Sequence, residues 1–192
     1  YITSIKPSSY QNKTEIDPLE LFPVYVNTPF TKIDTNSPYL HIREHAISRL
    51  EKYRHSYNFS EDTLYLAITY IDIIFKKLKE KNIRGKEFDL FIINCLLIAG
   101  KFYEKDIREM SSAVEKFWEL NNCLISEKEI QLNEIECLKL LNYKLDHHSV
   151  HDLLKFLMYN GIVYQNDSYS VYNIIYNYSL KIFRDVMNSN IT

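Results

Sequence analysis

The stretch that decides the fold is LFIINCLLIAGKFYEK, residues 90–105. Its first eleven residues, 90–100, are almost all apolar, and Asn94 is the only strongly polar side chain among them. A helix that is apolar on every side belongs in the middle of a protein, so the stretch predicts a central helix. Lys101 follows directly, and a lysine in such a place either reaches water or holds a specific partner.

Helix-start signals precede the central stretch. Ser37, before a proline, is predicted to cap a first helix that runs to about residue 55. Ser60 is predicted to cap a second helix that runs to about residue 79. The polar loop 79–85 then leads into the third, central helix at about 86–103.

Two capping boxes follow the central helix. Asp106 with Glu109 resembles such a box and predicts the start of a fourth helix. Ser126 with Glu129 is a better example and predicts a fifth helix at about 127–141.

The end of the chain adds two further predicted helices. Ser149 is expected to cap a sixth helix that stops at Gly161, and 168–188 is predicted to be a seventh. Because no alternating strand pattern competes with these signals, the sequence predicts an all-α fold.

Three regions are predicted along the chain. Residues 1–36 hold four of the five prolines and many polar residues, which indicates an N-terminal arm. Within the arm, 15–22 has the pattern of a short helix capped by Asp17. The main helical domain is expected at 37–145, and 146–192 is expected to be a C-terminal helical extension of two helices.

The composition excludes several classes of protein. The net charge of −2 over 192 residues argues against a nucleic-acid surface, which needs a basic excess. The longest apolar run is far short of the ~20 residues that span a bilayer. Cys95, Cys123 and Cys137 form no CxxC pair, and we interpret them as reduced thiols, with Cys95 and Cys137 in the core. The sequence therefore predicts an intracellular protein, nuclear or cytoplasmic.

Four helices carry one charged residue on their apolar face. Arg43 and Asp72 interrupt the stripes of the first and second helices, while Lys101 and Glu134 interrupt those of the third and fifth. A lone buried charge is very costly, so we expect each charge to be paired or to lie on a surface that a partner covers. Arg43 and Asp72 are the natural internal pair.

Two interpretations remain open for Lys101 and Glu134. They could pair with each other, or both could face outward and hydrogen-bond the backbone at the end of another chain's helix. In the second interpretation they lie at the edges of an apolar docking surface, whose other residues are Phe102, Leu138, Tyr143 and Leu145.

Signals for catalysis or metal binding are weak. His147 and His151 are four residues apart, but no further ligand completes a metal site. Cys95 lacks an activating neighbour, and no Gly-rich phosphate loop occurs. We therefore predict no enzyme activity, no metal and no cofactor. Trp118 is expected to be a partly buried anchor of the fourth helix, with an exposed partner contact as the alternative.

Three segments carry a family resemblance. The segments 43–72, 89–105 and 129–145 resemble the first half, the third helix and the fifth helix of a cyclin box. The ordered set Arg43, Asp72, Leu90, Lys101 and Glu134 matches the positions most characteristic of that family.

The resemblance implies both a fold and a partner. It implies a five-helix bundle around the third helix, with Arg43–Asp72 as its internal ion pair. It also implies that Lys101 and Glu134 hydrogen-bond main-chain groups of a cyclin-dependent protein kinase near its C helix. On that interpretation the kinase helix packs on four apolar side chains, those of Phe102, Leu138, Tyr143 and Leu145. The chain would then activate the kinase and perform no chemistry itself.

The sequence also departs from mitotic cyclins. Their first helix carries an apolar patch that docks substrates, whereas the matching positions here include Glu44, His45 and Arg49, so such docking is not expected. Residues 146–192 are too few for a second five-helix repeat, which is similar to single-box P-type or Y-type cyclins. The alternative is a cyclin-fold adaptor of a transcription-factor-like type without a kinase; its relatives use two repeats and basic faces.

Overall fold

The structure is a computed structural model that describes residues 39–78, 83–104, 110–158 and 169–188. These ranges contain seven α-helices and no strand, so the all-α prediction is confirmed for them. The helices are α1 (Leu40–Tyr57), α2 (Glu61–Lys77), α3 (Lys86–Tyr103), α4 (Met110–Asn121), α5 (Glu127–Leu140), α6 (Val150–Leu157) and α7 (Tyr169–Asn188).

Helix α3 is the central helix, as predicted. Every residue from Phe88 to Gly100 is buried, and α1, α2, α4 and α5 all contact α3. An α-helix with an apolar surface on every side is stable in water only when other elements cover it. The four neighbouring helices supply that cover, with α2 making the most extensive contact.

Asn94, the strongly polar side chain in the apolar stretch 90–100, fixes the position of α3 against α5. The Asn94 amide donates to the Ile130 carbonyl oxygen at 3.2 Å and to Asn133 Oδ1 at 2.8 Å. Buried amides are costly unless they are hydrogen-bonded, so a sliding movement of α3 along α5 would break both bonds.

Gly100 is required where α3 passes the ring of Phe59. A Cβ atom at residue 100 would lie 2.9 Å from that ring, closer than van der Waals contact allows. The glycine therefore lets Phe59 close the core beside the last turns of α3.

The predicted serine caps are confirmed at three helices. Ser60 caps α2 by accepting from the Thr63 amide, while Ser126 and Ser149 form full capping boxes at α5 and α6. Glu104, which follows α3, adds a further cap because its carboxylate accepts from the backbone amide and hydroxyl of Ser60. The ends of α3 are as predicted, whereas α1 continues two residues further, to Tyr57.

Several predicted features lie outside the described residues. They are the short helix at 15–22, the Ser37 cap, the Asp106–Glu109 box and the stop at Gly161.

The prediction for Trp118 is wrong. The Trp118 side chain is half exposed, and the neighbouring Phe117 is the buried anchor of α4. Ala113 lies four residues before Phe117 and is buried with it, so the apolar stripe of α4 runs through 113 and 117 and turns residue 118 to the surface.

Helices α6 and α7 attach to the beginning of α2 through two carboxylates. Asp62 accepts from Lys155 and lies 2.8 Å from Nδ1 of buried His151, whose Nε2 lies 2.5 Å from the Tyr176 hydroxyl. Glu61 pairs with Arg184 of α7. Burial alone would raise the pKa of Asp62, but the hydrogen bonds from His151 and Lys155 outweigh it and lower that pKa.

We expect acid to weaken the contacts of two carboxylates at the beginning of α2, those of Asp62 and Glu104. The folded-state pKa values of Asp62 and Glu104 are both lowered, in Glu104 because hydrogen bonds from Thr63 and Ser60 outweigh desolvation. A lowered carboxyl pKa stabilises the fold above its unfolded value of about 4, and the stabilisation is lost as the pH falls through the folded pKa. The free energy of unfolding, measured with denaturant, should therefore fall less between pH 7 and pH 3 in Asp62→Asn/Glu104→Gln than in the unchanged chain. Exposed Glu115→Gln serves as the control, and an unchanged acid loss in the double variant would contradict the assignment.

Candidate functional site

Arg43 and Asp72 form a buried ion pair between α1 and α2. Arg43 Nε lies 2.9 Å from Asp72 Oδ1, and a second guanidinium nitrogen lies 3.0 Å from Oδ2. The exposed fractions of the two residues are 6 % and 8 %. Burial alone would lower the pKa of Arg43, but the hydrogen bond with Asp72 outweighs it and raises that pKa. The pair thus joins the first two helices inside the bundle.

Tyr39 completes this pair and was not predicted. Its hydroxyl donates to Asp72 Oδ1 at 3.0 Å, and its ring stacks on Phe75 with centroids 4.8 Å apart. The signal was present in the sequence, because Tyr39 lies four residues before Arg43 and so shares its helix face.

Lys101 and Glu134 pair with each other at the surface of the bundle. The Lys101 ammonium contacts Glu134 Oε1 from the last turn of α3 to the middle of α5. The Lys101 side chain remains 40 % exposed and the Glu134 side chain 17 %. Of the two interpretations left open, the mutual pair is therefore present, yet neither charge is enclosed by the core.

Apolar side chains follow each member of this pair. Phe102 comes next after Lys101 and is 52 % exposed, and Tyr143 after α5 is 65 % exposed. Leu138, one turn after Glu134, and Leu145 are half-buried and pack on the core from outside. We call the set of Lys101, Phe102, Glu134, Leu138, Tyr143 and Leu145 the α3–α5 surface.

A strained turn holds Tyr143 outward. Tyr143 has a φ of 56°, a left-handed conformation that is uncommon for a non-glycine residue. The Tyr143 amide donates to the Leu138 carbonyl at 2.8 Å, and the Tyr70 hydroxyl donates to the Leu145 carbonyl at 2.7 Å. These bonds hold the turn in place, so an aromatic side chain is kept at the surface at an energetic cost.

The other candidate residues have structural contacts. Both ring nitrogens of His151 are engaged by Asp62 and Tyr176, which leaves none for a metal ion. Among the described residues, no group of three or more potential ligands is close enough to hold a metal. Cys95 and Cys137 are buried as predicted, and burial raises the pKa of the Cys95 thiol.

The end of α4 holds the side chain of Arg49 from α1. Arg49 donates to the Leu120 carbonyl at 3.1 Å and to Asn121 at 2.6 Å, both at the end of α4. His45 stacks on Phe88.

The described part of the chain has no helix that is long and apolar enough to cross a membrane.

A family model of the cyclin N-terminal domain matches residues 25–146, well over half of the chain. The chain belongs to the cyclin family. The five helices α1–α5 are therefore the helices of a cyclin box, and the chain has the regulatory type of role that cyclins share. A comparison with curated protein sequences found no match.

The buried pair of this cyclin should be sensitive to the loss of either partner. We expect Asp72→Asn to lower the free energy of unfolding by about 3–5 kcal/mol, because it leaves the Arg43 charge buried and uncompensated. Replacing the whole group, as Tyr39→Phe/Arg43→Met/Asp72→Leu, should recover much of that loss in chemical denaturation, because no buried polar group is left without its partner. A triple variant less stable than Asp72→Asn would contradict this interpretation.

The surface pair should contribute little to folding. We expect Lys101→Ala and Glu134→Ala each to change the free energy of unfolding by less than about 1 kcal/mol, the usual range for exposed pairs. The free energies of unfolding of both variants are measured with denaturant and compared with that of Asp72→Asn. A loss as large as that of Asp72→Asn would mean that the pair serves the fold rather than a partner.

Proposed function

We propose that this cyclin is the regulatory subunit of a cyclin-dependent protein kinase and that it binds the kinase's C helix with the α3–α5 surface. The observation that carries the proposal is the water-accessible Lys101–Glu134 pair, with exposed Phe102 directly after Lys101 and exposed Tyr143 in the turn after α5. Aromatic side chains are enriched at interface centres, and charges at the rim fix the orientation of the partner.

The pair can change partners at low cost. Exposed ion pairs are worth about 1 kcal/mol or less, so little is lost when Lys101 turns from Glu134 to a foreign carbonyl. The ammonium has three donors for carbonyls at a helix C-terminus, and the carboxylate accepts from backbone amides. The pair therefore offers one donor and one acceptor to a partner's backbone while it stays neutral when unbound.

Phe102 and Tyr143 supply the apolar part of the proposed contact. Each of the two residues exposes more than half of its surface in the unbound chain, and burial of an aromatic ring is strongly favourable. Leu138 and Leu145 already rest on the core, so they form a rigid floor under an incoming helix.

Activation follows from differential binding. A kinase C helix has inward and outward positions, and the inward position completes the Lys–Glu pair that positions ATP. A cyclin that binds the inward position more tightly shifts the population towards the active kinase. To move the population from 1:99 to 99:1, the preference must be about 10⁴-fold. On this proposal the cyclin is intracellular and performs no chemistry.

The binding test uses Lys101→Ala/Glu134→Ala with purified cyclin-dependent kinases of the source organism. We expect the affinity for the partner kinase to fall by at least about 30-fold, because the proposed hydrogen bonds from the two charged groups to the kinase backbone, worth about 1.5–3 kcal/mol each, would be lost, and kinase activity should fall with it. The readouts are equilibrium binding and phosphorylation of a generic kinase substrate.

The same two helices offer a matched control. Lys86 of α3 also pairs with Glu129 of α5, at the opposite end of α3 from Lys101. Lys86→Ala/Glu129→Gln should leave kinase binding unchanged, and glutamine can keep the Ser126 capping box. Equal affinities in the two double variants would refute the α3–α5 surface as the kinase contact.

A further inference from the structure

Helix α7 presents a second apolar face that the rest of the described chain leaves uncovered. Ile174, Tyr178 and Ile182 are 55 %, 66 % and 60 % exposed, and they lie along one side of the helix. On the opposite side Leu180 is buried in the core, and Tyr176 packs against it. A helix that is apolar on two sides is expected to be covered on both.

The residues around this face have the composition of an interface. Residues 169–180 contain no charged side chain at all. The exposed polar residues Ser170, Asn177, Lys181 and Asp185 lie on the same outer half of the helix. Interface centres are depleted of charge and enriched in tyrosine, with a polar rim around them.

The spacing of the apolar face is symmetric. Ile174 lies four residues before Tyr178, and Ile182 lies four residues after it. If two such helices run antiparallel about a two-fold axis at Tyr178, each Ile174 meets the Ile182 of the other helix, and the two Tyr178 rings meet at the axis. Isologous contacts of this kind are the commonest way in which identical chains associate.

The charges agree with the same arrangement. Asp185 lies seven residues after Tyr178, so it would face position 171, in the first turn of the other copy's α7. A carboxylate is favourable there because the helix dipole makes the N-terminus partly positive. Within α7 no like charges are brought together, since Lys181 would face position 175 and Arg184 would face position 172 of the other copy.

We propose that this cyclin forms a two-fold symmetric dimer in which α7 pairs antiparallel with α7 of a second copy, centred on Tyr178. The α3–α5 surface contributes no residue to this contact. The proposal is therefore independent of kinase binding, and either one can fail without the other.

Sedimentation of the full chain over a concentration series tests the association. We expect a dimer at about 100 µM, and Tyr178→Glu should raise the dissociation constant by at least about 30-fold because two carboxylates would meet at the axis. Leu132→Glu is the control, since Leu132 is 58 % exposed on α5 and should not affect the dimer. A wild-type chain that stays monomeric at that concentration overturns the proposal and leaves the face to another partner.

Disulfide trapping tests the register, in a Cys123→Ser background because the other two cysteines are buried. Tyr178→Cys should form a covalent dimer on mild oxidation. Ile174→Cys alone should not, because its two copies would be about 12 Å apart along the axis and a disulfide needs Cα atoms within about 7 Å. A mixture of Ile174→Cys and Ile182→Cys chains should cross-link to each other. Equal cross-linking of all three single variants, or none by Tyr178→Cys, would contradict the antiparallel dimer.

Discussion

A helix that is apolar all round can exist in water only if other helices enclose it, and α3 imposes that condition on the whole bundle. Residues Phe88–Gly100 are all buried, so α1, α2, α4 and α5 must each turn an apolar stripe towards them. The enclosure ends abruptly, because Gly100 is buried and Lys101 is exposed. The proposed kinase contact lies where the central helix leaves the core, on the end of a rigid element.

Two ion pairs of the same cyclin box have different physical characters. Arg43–Asp72 is dry, bidentate and supported by the Tyr39 hydroxyl, so removal of one member is expensive. Lys101–Glu134 is in contact with water, so each member can exchange its partner at little cost. The first pair suits a fixed junction between helices, and the second suits a contact that forms and breaks.

Local signals predicted most of the fold, and contacts between distant residues were the part that they could not supply. The bounds of α3 and the caps at Ser60, Ser126 and Ser149 depend on neighbours within four residues, and all were predicted. Trp118 was assigned to the wrong side of α4, because the sequence did not fix where that helix begins. Without a fixed start, either Phe117 or Trp118 fits the buried face of the helix.

The candidate site shows the same division. The six residues of the α3–α5 surface were named from the sequence, but the mutual contact of Lys101 and Glu134 depends on how two helices cross. The attachment of α6 and α7 through His151 and Asp62 spans 89 residues and has no local pattern. The sequence of α7 has apolar residues on two sides of the helix. Only the packed structure shows that the side with Leu180 is covered and that the side with Tyr178 is exposed.

Hydrogen exchange of the backbone amides, with and without a bound cyclin-dependent kinase, tests the proposed interface most directly. If the kinase helix lies on the α3–α5 surface, amides should become slower to exchange in the last turn of α3, around Lys101, and in the turn that carries Tyr143. The first turns of α3 and α5, near Lys86 and Glu129, should be unaffected. Protection confined to those first turns, or to α7, would contradict the proposed contact.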